Sequence, residues 1–196
     1  FLLFSLLSTT LLQGILAPQA SAATKAEQQA FIKELVKPAQ ELQAELGVPA
    51  SVSIGMAIEE TGWGRSSMAG QMTINGQKVP VNALFNIKCH STKKTKYQLG
   101  CVDVRTKEYN SNGSSYFVKD PFRSYASRGD SLKDFGLFLS TTPRYKNAFK
   151  FKNNADQFIV EVRKAGYATN PSYATSIQRH MKNNNLYQYN TASVGD

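Results

Sequence analysis

The sequence predicts a fold of the α+β class that is predominantly helical, with a helical body and a small antiparallel β-lobe. Apolar residues recur every three to four positions over 24–46 and again from Ser127 onward, which is the spacing of amphipathic helices. Residues 65–125 are mixed and mostly extended, with short runs of β-type residues. At 196 residues and 41% apolar composition, the chain is long enough to bury one sizeable core.

The first 22 residues differ from all that follow. Residues 1–16 are rich in Leu and Phe and carry no charge, and Ala20-Ser21-Ala22 fits the small-x-small pattern of signal cleavage. The apolar run is shorter than the ~20 residues that a membrane span needs. We therefore expect a signal peptide over 1–22, truncated at its N-terminus, then one folded domain over 23–190 and a loose tail over 191–196. A retained N-terminal anchor is the alternative.

The first helix is predicted over residues 24–46. Its apolar stripe consists of Ala26, Ala30, Phe31, Leu35, Ala39, Leu42 and Leu46. Pro38 is expected to kink or divide this helix, because proline cannot donate the backbone hydrogen bond of a helix interior. The run Gly47-Val48-Pro49 ends it, and Ser51 is expected to cap the next helix.

The second helix is predicted from Val52 to about Thr61, and it is almost uncharged until Glu59 and Glu60. A helix with so little polar surface belongs in the core. Gly62 suits the left-handed turn that follows a helix. Two acids therefore lie where the helix already carries partial negative charge.

The β-lobe and the later helices follow from local signals. Strands are predicted at 97–104 and 115–118, with a turn at 110–113. Ser131 lies in the next helix, and Asn154 caps another one that buries Phe158, Val162 and Ala165 and ends before Gly166. Asn170, with Pro171 at the first helical position, is expected to start the last helix.

Charge and cysteine usage limit the partners. The net charge of +9 favours polyanionic partners. No block of five like charges occurs and no recognised binding module is present, so a nucleic-acid binder ranks last.

The two cysteines, Cys89 and Cys101, favour a disulfide if the chain is exported, with two free thiols as the alternative. A zinc site built from Cys89, His90, Cys101 and His180 lacks the usual ligand spacing.

Glu60 has the setting of a catalytic acid. Such a group must hold its proton at the working pH, and burial against apolar side chains raises a carboxyl pKa. Glu60 follows an apolar helix and precedes Trp63, whose ring would form a wall. The alternative is that Glu59 and Glu60 are both exposed charges. Consecutive helical residues point about 100° apart, so one acid can face a cleft while the other faces solvent.

Six segments, in order, resemble motifs of the bacterial glucosaminidase family (glycoside hydrolase family 73). They are Glu60-Thr61-Gly62-Trp63-Gly64-Arg65-Ser66, Asn82-Ala83-Leu84-Phe85-Asn86-Ile87-Lys88, Thr106-Lys107-Glu108-Tyr109, Phe122-Arg123-Ser124-Tyr125, Arg144-Tyr145 and Gly166-Tyr167-Ala168-Thr169-Asn170-Pro171-Ser172-Tyr173. The similarity runs over about 31–189. Asn86 stands where Gly is usual, and Asn170 where Asp is common. The resemblance implies a lysozyme-like fold with a cleft between helical body and β-lobe.

The resemblance also implies roles for individual residues. Glu60 corresponds to the catalytic acid. Glu108 is the candidate second carboxylate, either as a base or as a stabiliser of positive charge on the sugar, unless the substrate's own acetamido group attacks. An exposed strand acid is the other interpretation of Glu108. Substrate contacts are expected from four aromatic residues, whereas Phe85 and Phe122 are expected in the core and Arg123 is not expected to be catalytic. The four are Trp63, Tyr125, Tyr167 and Tyr173.

The implied activity is hydrolysis of the β-1,4 bond after N-acetylglucosamine in peptidoglycan, by a secreted or wall-associated enzyme. The alternatives are a lysozyme or lytic transglycosylase acting on the other glycosidic bond, and a non-catalytic wall-binding protein. Neither a cofactor nor a metal is expected. The expected partners are glycan strands and, through the basic surface, anionic wall polymers. A monomer with no membrane span after signal cleavage is expected.

Overall fold

The computed structural model describes residues 22–90, 94–109 and 113–191, without the side chains of 106–109. The predicted signal peptide and tail therefore lie, apart from residues 22 and 191, outside the described residues. Five α-helices form the body of this part of the chain, and two antiparallel hairpins form the lobe. The predicted fold class, mostly helical with a small antiparallel β-lobe, is confirmed. No helix in the described ranges is both long enough and apolar enough to span a membrane.

The first helix, α1 (Lys25–Leu46), begins with a capping box between Thr24 and Glu27. It runs without interruption past Pro38, so the predicted division at Pro38 is wrong. Its buried stripe includes Phe31, Leu35 and Leu42. This stripe holds α1 against the rest of the body, and packing of that kind outweighs one missing backbone hydrogen bond.

The second helix, α2 (Ala50–Thr61), lies in the centre of the body, as its apolar composition predicts. The N-cap is Pro49, and Ser51 lies inside the helix with a fully buried side chain. The predicted cap at Ser51 is therefore wrong, because the helix begins at Ala50, two residues before the predicted start at Val52. Gly62 follows the helix with a φ of 56°, which confirms the left-handed turn.

The β-lobe contains a short and a long hairpin. Strands β1 (Gln71–Ile74) and β2 (Gln77–Pro80) form the short one. Strands β3 (Gln98–Tyr109) and β4 (Ser115–Tyr125) form the long one, and both extend beyond their predicted bounds. The lobe has its own small apolar cluster, which consists of Val81, Ala83, Val102, Val104, Phe122 and Tyr125.

A disulfide fastens the segment before β3 to the long hairpin. Cys89 and Cys101 are bonded to each other, so the favoured pairing is confirmed. The same segment also lies against β4, because the Cys89 amide donates to the Pro121 carbonyl at 2.9 Å. The segment that follows Phe85 is thus held beside the lobe by the disulfide and by backbone hydrogen bonds to β4.

The body is completed by α3 (Arg128–Thr141), α4 (Ala155–Lys164) and α5 (Tyr173–Asn183). Asn154 caps α4 through its side chain, as predicted. The last helix begins at Tyr173, so Asn170 and Pro171 precede it rather than start it. The Asn170 side chain instead accepts a hydrogen bond from the Ser172 amide in the turn before α5.

Candidate active site

Glu60 lies one residue before the C-terminal end of α2, half-buried at the surface of the body. The turn that follows is tightly fixed, since Gly62, Trp63 and Gly64 all have positive φ. At Gly64 a Cβ would lie 2.7 Å from the Phe31 ring, so only glycine fits there. The end of α2, and with it the backbone of Glu60, is therefore held in one conformation.

The carboxyl of Glu60 is bound from α5. The Tyr173 hydroxyl donates to Glu60 Oε1 at 2.7 Å. Desolvation by burial is the main cause that raises the pKa of Glu60; the Tyr173 hydrogen bond opposes it, and the negative charge of Glu59 adds to it. The net direction is upward. Glu60 therefore keeps its proton to a higher pH than an exposed glutamate.

Glu59 makes different contacts from its neighbour. Its Oε2 accepts a hydrogen bond from the Ser176 hydroxyl at 2.7 Å and lies 2.9 Å from His180 Nε2. Tyr173, Ser176 and His180 lie along one face of α5, so this helix contacts both acids. Glu59 is therefore not an exposed charge. No local feature of the sequence indicates its contacts with α5.

Glu60 opens onto a pocket of about 690 Å³. It is the only Asp or Glu among the described residues that line the pocket. The lining consists of Glu60, Phe85, Asn86, Ile87, Lys88, His90, Arg123, Phe138, Arg144, Tyr145, Gly166, Tyr167, Ala168, Thr169 and Asn170. A volume of this size is typical of a small-molecule or oligomer subsite. The pocket lies where the helical body meets the segment that leads into the β-lobe.

The pocket is positively charged around its single acid. Lys88 pairs with Asp120 at 2.6 Å, and Arg123 pairs with the buried Asp134 at 2.8 Å. Arg144 instead lies 5.5 Å from the centre of the Tyr145 ring. It forms no salt bridge within the described part of the chain, so its charge is free to meet an anionic group in the pocket.

Tyr167 occupies the centre of an aromatic group beside Glu60. Its ring centre lies 5.9 Å from Phe135, 6.3 Å from Tyr145 and 5.7 Å from Tyr173. Burial, with the nearby Glu60 charge, raises the pKa of the Tyr167 hydroxyl well above its ordinary value. Tyr167 therefore stays neutral and presents an amphipathic wall to the pocket.

Two of the expected substrate contacts lie elsewhere. Tyr125 is 1% exposed and its hydroxyl donates to Asp134 at 2.8 Å, so the structure places it in the apolar cluster of the lobe and not among the described residues that line the pocket. Trp63 does not line the pocket within the described residues. Its ring meets His180 edge-on at 6.1 Å, on the Glu59 side. The apolar wall of the Glu60 pocket is formed instead by Phe85, Ile87 and Tyr167.

Phe85 and Phe122 lie in the two cores, as expected. The two phenylalanines are 5% and 6% exposed, which confirms their place in the cores. Phe85 also stacks on Phe135 at 3.9 Å and presents an edge to the pocket. Arg123 binds the carboxylate of the buried Asp134 and also lines the pocket.

Glu108 lies in β3, where its backbone pairs with Tyr116. Its side chain lies outside the described residues. Cys101 pairs with Arg123 at the level of the pocket, and Glu108 is seven residues further along the strand. Seven residues of strand span about 23 Å. A contact between Glu108 and a sugar beside Glu60 therefore requires the hairpin to curve toward the pocket.

A family model described as mannosyl-glycoprotein endo-β-N-acetylglucosaminidase matches residues 36–186. The chain belongs to the glucosaminidase family. The resemblance carried by the six motifs is thereby confirmed, and with it membership of a glycoside hydrolase family. The match covers α1 from Val36 onward, all of the lobe and all of the pocket residues.

Three comparisons place the chain among known proteins. It is 37% identical over 149 residues to a peptidoglycan hydrolase FlgJ of Vibrio cholerae, covering 76% of this chain and 41% of that protein. It is 32% identical over 183 residues to a probable N-acetylmuramidase of Lactococcus lactis, covering 90% of this chain and 38% of that protein. The catalytic domain of the autolysin Auto from Listeria monocytogenes superposes with a TM-score of 0.70 at 28% identity, covering 87% of this chain and 92% of that one.

The chain thus spans about two-fifths of the length of these two sequence relatives.

The sequence analysis assigned no role to several residues that the fold brings to the pocket. Lys88, Arg144 and Thr169 all lie inside motifs of the resemblance, and that position was the only available signal.

Proposed function

We propose that this chain hydrolyses the β-1,4 bond that follows N-acetylglucosamine in the glycan strands of peptidoglycan, with Glu60 as general acid. The observation that carries the proposal is a single carboxyl with a raised pKa in the wall of a pocket of about 690 Å³. Family membership and the relative named peptidoglycan hydrolase support the substrate class.

The proton required for bond cleavage resides on Glu60. Tyr173 binds Oε1, and Oε2 has no protein partner among the described residues. A proton on Oε2 is transferred to the glycosidic oxygen as the carbon–oxygen bond breaks, and Glu60 becomes a carboxylate. Water then adds to the sugar carbon, and its proton leaves to a base. That base is Glu108 in the first version of the proposal. In the second, the acetamido oxygen of the substrate bonds to the sugar carbon as the leaving group departs, and the Glu60 carboxylate then takes the proton of the water that opens the resulting ring.

The positive pocket fits an acidic glycan. Peptidoglycan carries carboxylates on its lactyl and peptide substituents, whereas a neutral glycan carries none. Arg144 is the cation in the pocket without a carboxylate partner in the described chain, and Tyr167 provides an aromatic wall beside it. We assign Tyr167 and Tyr173 to the sugar that loses its leaving group, because both lie next to Glu60.

The similar chain named a probable N-acetylmuramidase favours a second candidate, cleavage of the other glycosidic bond. Digestion of purified peptidoglycan, reduction of the products and mass spectrometry separate the two. Reduced N-acetylglucosamine is expected. Reduced N-acetylmuramic acid would establish the second candidate instead, an anhydro end would establish a lytic transglycosylase, and no product at all would establish a non-catalytic binding protein.

Glu108→Gln tests the second carboxylate. If Glu108 activates water, this variant loses about 10²–10⁴-fold in kcat with little change in KM. If the acetamido group attacks, the variant stays within about tenfold of the wild-type kcat. Tyr116→Phe, opposite Glu108 in the hairpin, is the matched control for disturbance of the strand pair.

Action outside the cytoplasm follows from this substrate, and we propose export through the signal segment over 1–22. We also propose that the chain acts as a monomer and that its net charge of +9 holds it on anionic wall polymers.

A further inference from the structure

A second groove lies on the helical body, between α1 and the chain around the end of α5. Its volume is about 710 Å³, and it shares no lining residue with the Glu60 pocket. One wall is formed by α1 and the other by residues 183–185 and 188–189. Ile32 and Val36 form an apolar floor. Neither the family motifs nor the proposed chemistry uses this groove.

The α1 wall carries a regular row of long polar side chains. Lys25, Gln29, Lys33 and Lys37 follow one another at intervals of four residues, and all four are exposed. Four residues advance a helix by about 6 Å and return close to the same face, so the row is about 18 Å long. It presents three positive charges in line along the groove.

Two acids of α1 form salt bridges with α3 and not with this row. Glu34 pairs with Arg128 at 2.9 Å and Glu41 pairs with Lys133 at 2.5 Å, both on α3. Within the described residues, no Asp or Glu lines the groove and no salt bridge involves Lys25, Lys33 or Lys37. The lysine row therefore keeps positive charge on the groove side of α1, which the Glu41 carboxylate offsets in part at Lys37.

The opposite wall is rich in amides. Asn183, Asn184, Asn185 and Gln188 line it, together with the ring of Tyr189. The Asn184 side-chain amide donates to the His180 carbonyl at 3.0 Å. The side-chain amides of Asn183, Asn185 and Gln188 line the groove and form no hydrogen bond with another described residue. Side-chain amides both donate and accept, which suits a ligand with many hydroxyl groups.

We propose that this groove binds an extended phosphodiester-linked polyol of the cell wall. Its regularly spaced phosphates meet the lysine row, and its hydroxyls meet the amide wall. The choice of a wall polymer rests on the proposed function, whereas the groove and its charges do not. Nucleic acid fits less well, because Tyr189 is the only aromatic residue among those that line the groove, and single strands bind on several.

The test compares two triple variants of the full chain. One carries Lys25→Gln, Lys33→Gln and Lys37→Gln. The matched control carries Lys78→Gln, Lys119→Gln and Lys150→Gln, three exposed lysines outside the groove. Both lower the net charge of +9 by three, so they differ only in where the charge is removed. Thermal unfolding by circular dichroism verifies that both fold.

The probe is fluorescently labelled poly(glycerol phosphate), with its Kd measured by polarisation at several salt concentrations. The wild type is expected to bind with an affinity that falls as salt rises. The Kd of the groove variant is expected to rise about tenfold, since each exposed charge pair contributes a few-fold in affinity. The Kd of the control variant is expected to rise less than threefold. Equal losses in the two variants, or no binding by the wild type, would overturn the proposal.

Two further measurements test whether the groove prefers the polyol to nucleic acid and whether it is independent of glycan hydrolysis. Single-stranded DNA is expected to bind more weakly than the polyol and to respond equally to both variants. Single-stranded DNA that bound as tightly as the polyol and only through the groove would disprove the polyol assignment. Hydrolysis of short soluble glycan fragments is expected to proceed at the wild-type rate in both variants. Polyol binding without any glycan hydrolysis would reject the proposed function alone.

Discussion

The helical body and the β-lobe are stabilised in different ways. The body has a large core in which Leu35, Ile54 and Phe135 are wholly buried, and it holds Glu60 at the fixed end of α2. The lobe has a small apolar cluster and a disulfide, and it leaves Leu99 and Phe117 half-exposed. The difference indicates that the body presets the catalytic acid while the lobe depends on a few specific fastenings.

One of these fastenings is Asp134 on α3. Its wholly buried carboxylate accepts from Thr95 at 2.6 Å, from Arg123 at 2.8 Å and from Tyr125 at 2.8 Å. These three partners lie at or beside the long hairpin. Burial raises the pKa of the Tyr125 hydroxyl, and the charge and the hydrogen bond of Asp134 raise it further. A single side chain of the body therefore binds the lobe at three points.

The largest loss of stability is expected from Asp134→Ala. It leaves the nearly buried Arg123 charge without its partner, and such a loss costs about 3–5 kcal/mol. The free energy of unfolding, measured by urea titration, is expected to fall by that amount. A fall of less than about 1 kcal/mol would show that other contacts join the lobe to the body.

Replacing a glycine by alanine in each region compares how tightly the body and the lobe are packed. At Gly136 in α3, a Cβ would lie 1.9 Å from the buried Leu42 side chain, whereas at Gly100 in β3 the nearest atom, in Ser124, is 3.6 Å away. Gly136→Ala is expected to cost about 1–3 kcal/mol by overpacking. Gly100→Ala is expected to stay within about 0.5 kcal/mol of wild type. The same urea titration measures both, and similar values would contradict the contrast.

The smallest effect concerns the acid itself. Because burial raises the pKa of Glu60, the folded chain keeps a proton that the unfolded chain has lost above the model-peptide value of 4.5. Stability therefore falls as pH rises from that value through the folded pKa. Glu60→Gln does not titrate, so its free energy of unfolding is expected to gain on the wild type from pH 4.5 upward. A difference that stays constant with pH would contradict a raised pKa.

Much of the fold could be predicted because its signals are local. The stripe of α1, the turn at Gly62 and the cap at Asn154 each depend on a few neighbouring residues. The errors have local causes too: tertiary packing carries α1 past Pro38, and α2 begins one residue before Ser51.

The site was harder to predict, since its contacts join distant segments. Tyr173 reaches Glu60, and His180 reaches Glu59, only because α5 packs on α2. Tyr125 lies in a motif of the family, yet Asp134 holds it inside the protein. A motif can therefore identify a residue that matters without telling whether it touches substrate or supports the fold.

The adjacent acids of α2 give the most direct test of the account. Glu60→Gln and Glu59→Gln are the same chemical change one residue apart, measured as kcat/KM for release of reducing ends from purified peptidoglycan. The kcat/KM of Glu60→Gln is expected to fall about 10²–10⁴-fold, because the amide is too weak an acid to protonate the glycosidic oxygen. Glu59→Gln is expected to stay within about tenfold, with the Glu60 pKa lowered by the loss of the neighbouring charge. Activity of Glu60→Gln within tenfold of wild type, or an equal loss in Glu59→Gln, would contradict Glu60 as the acid.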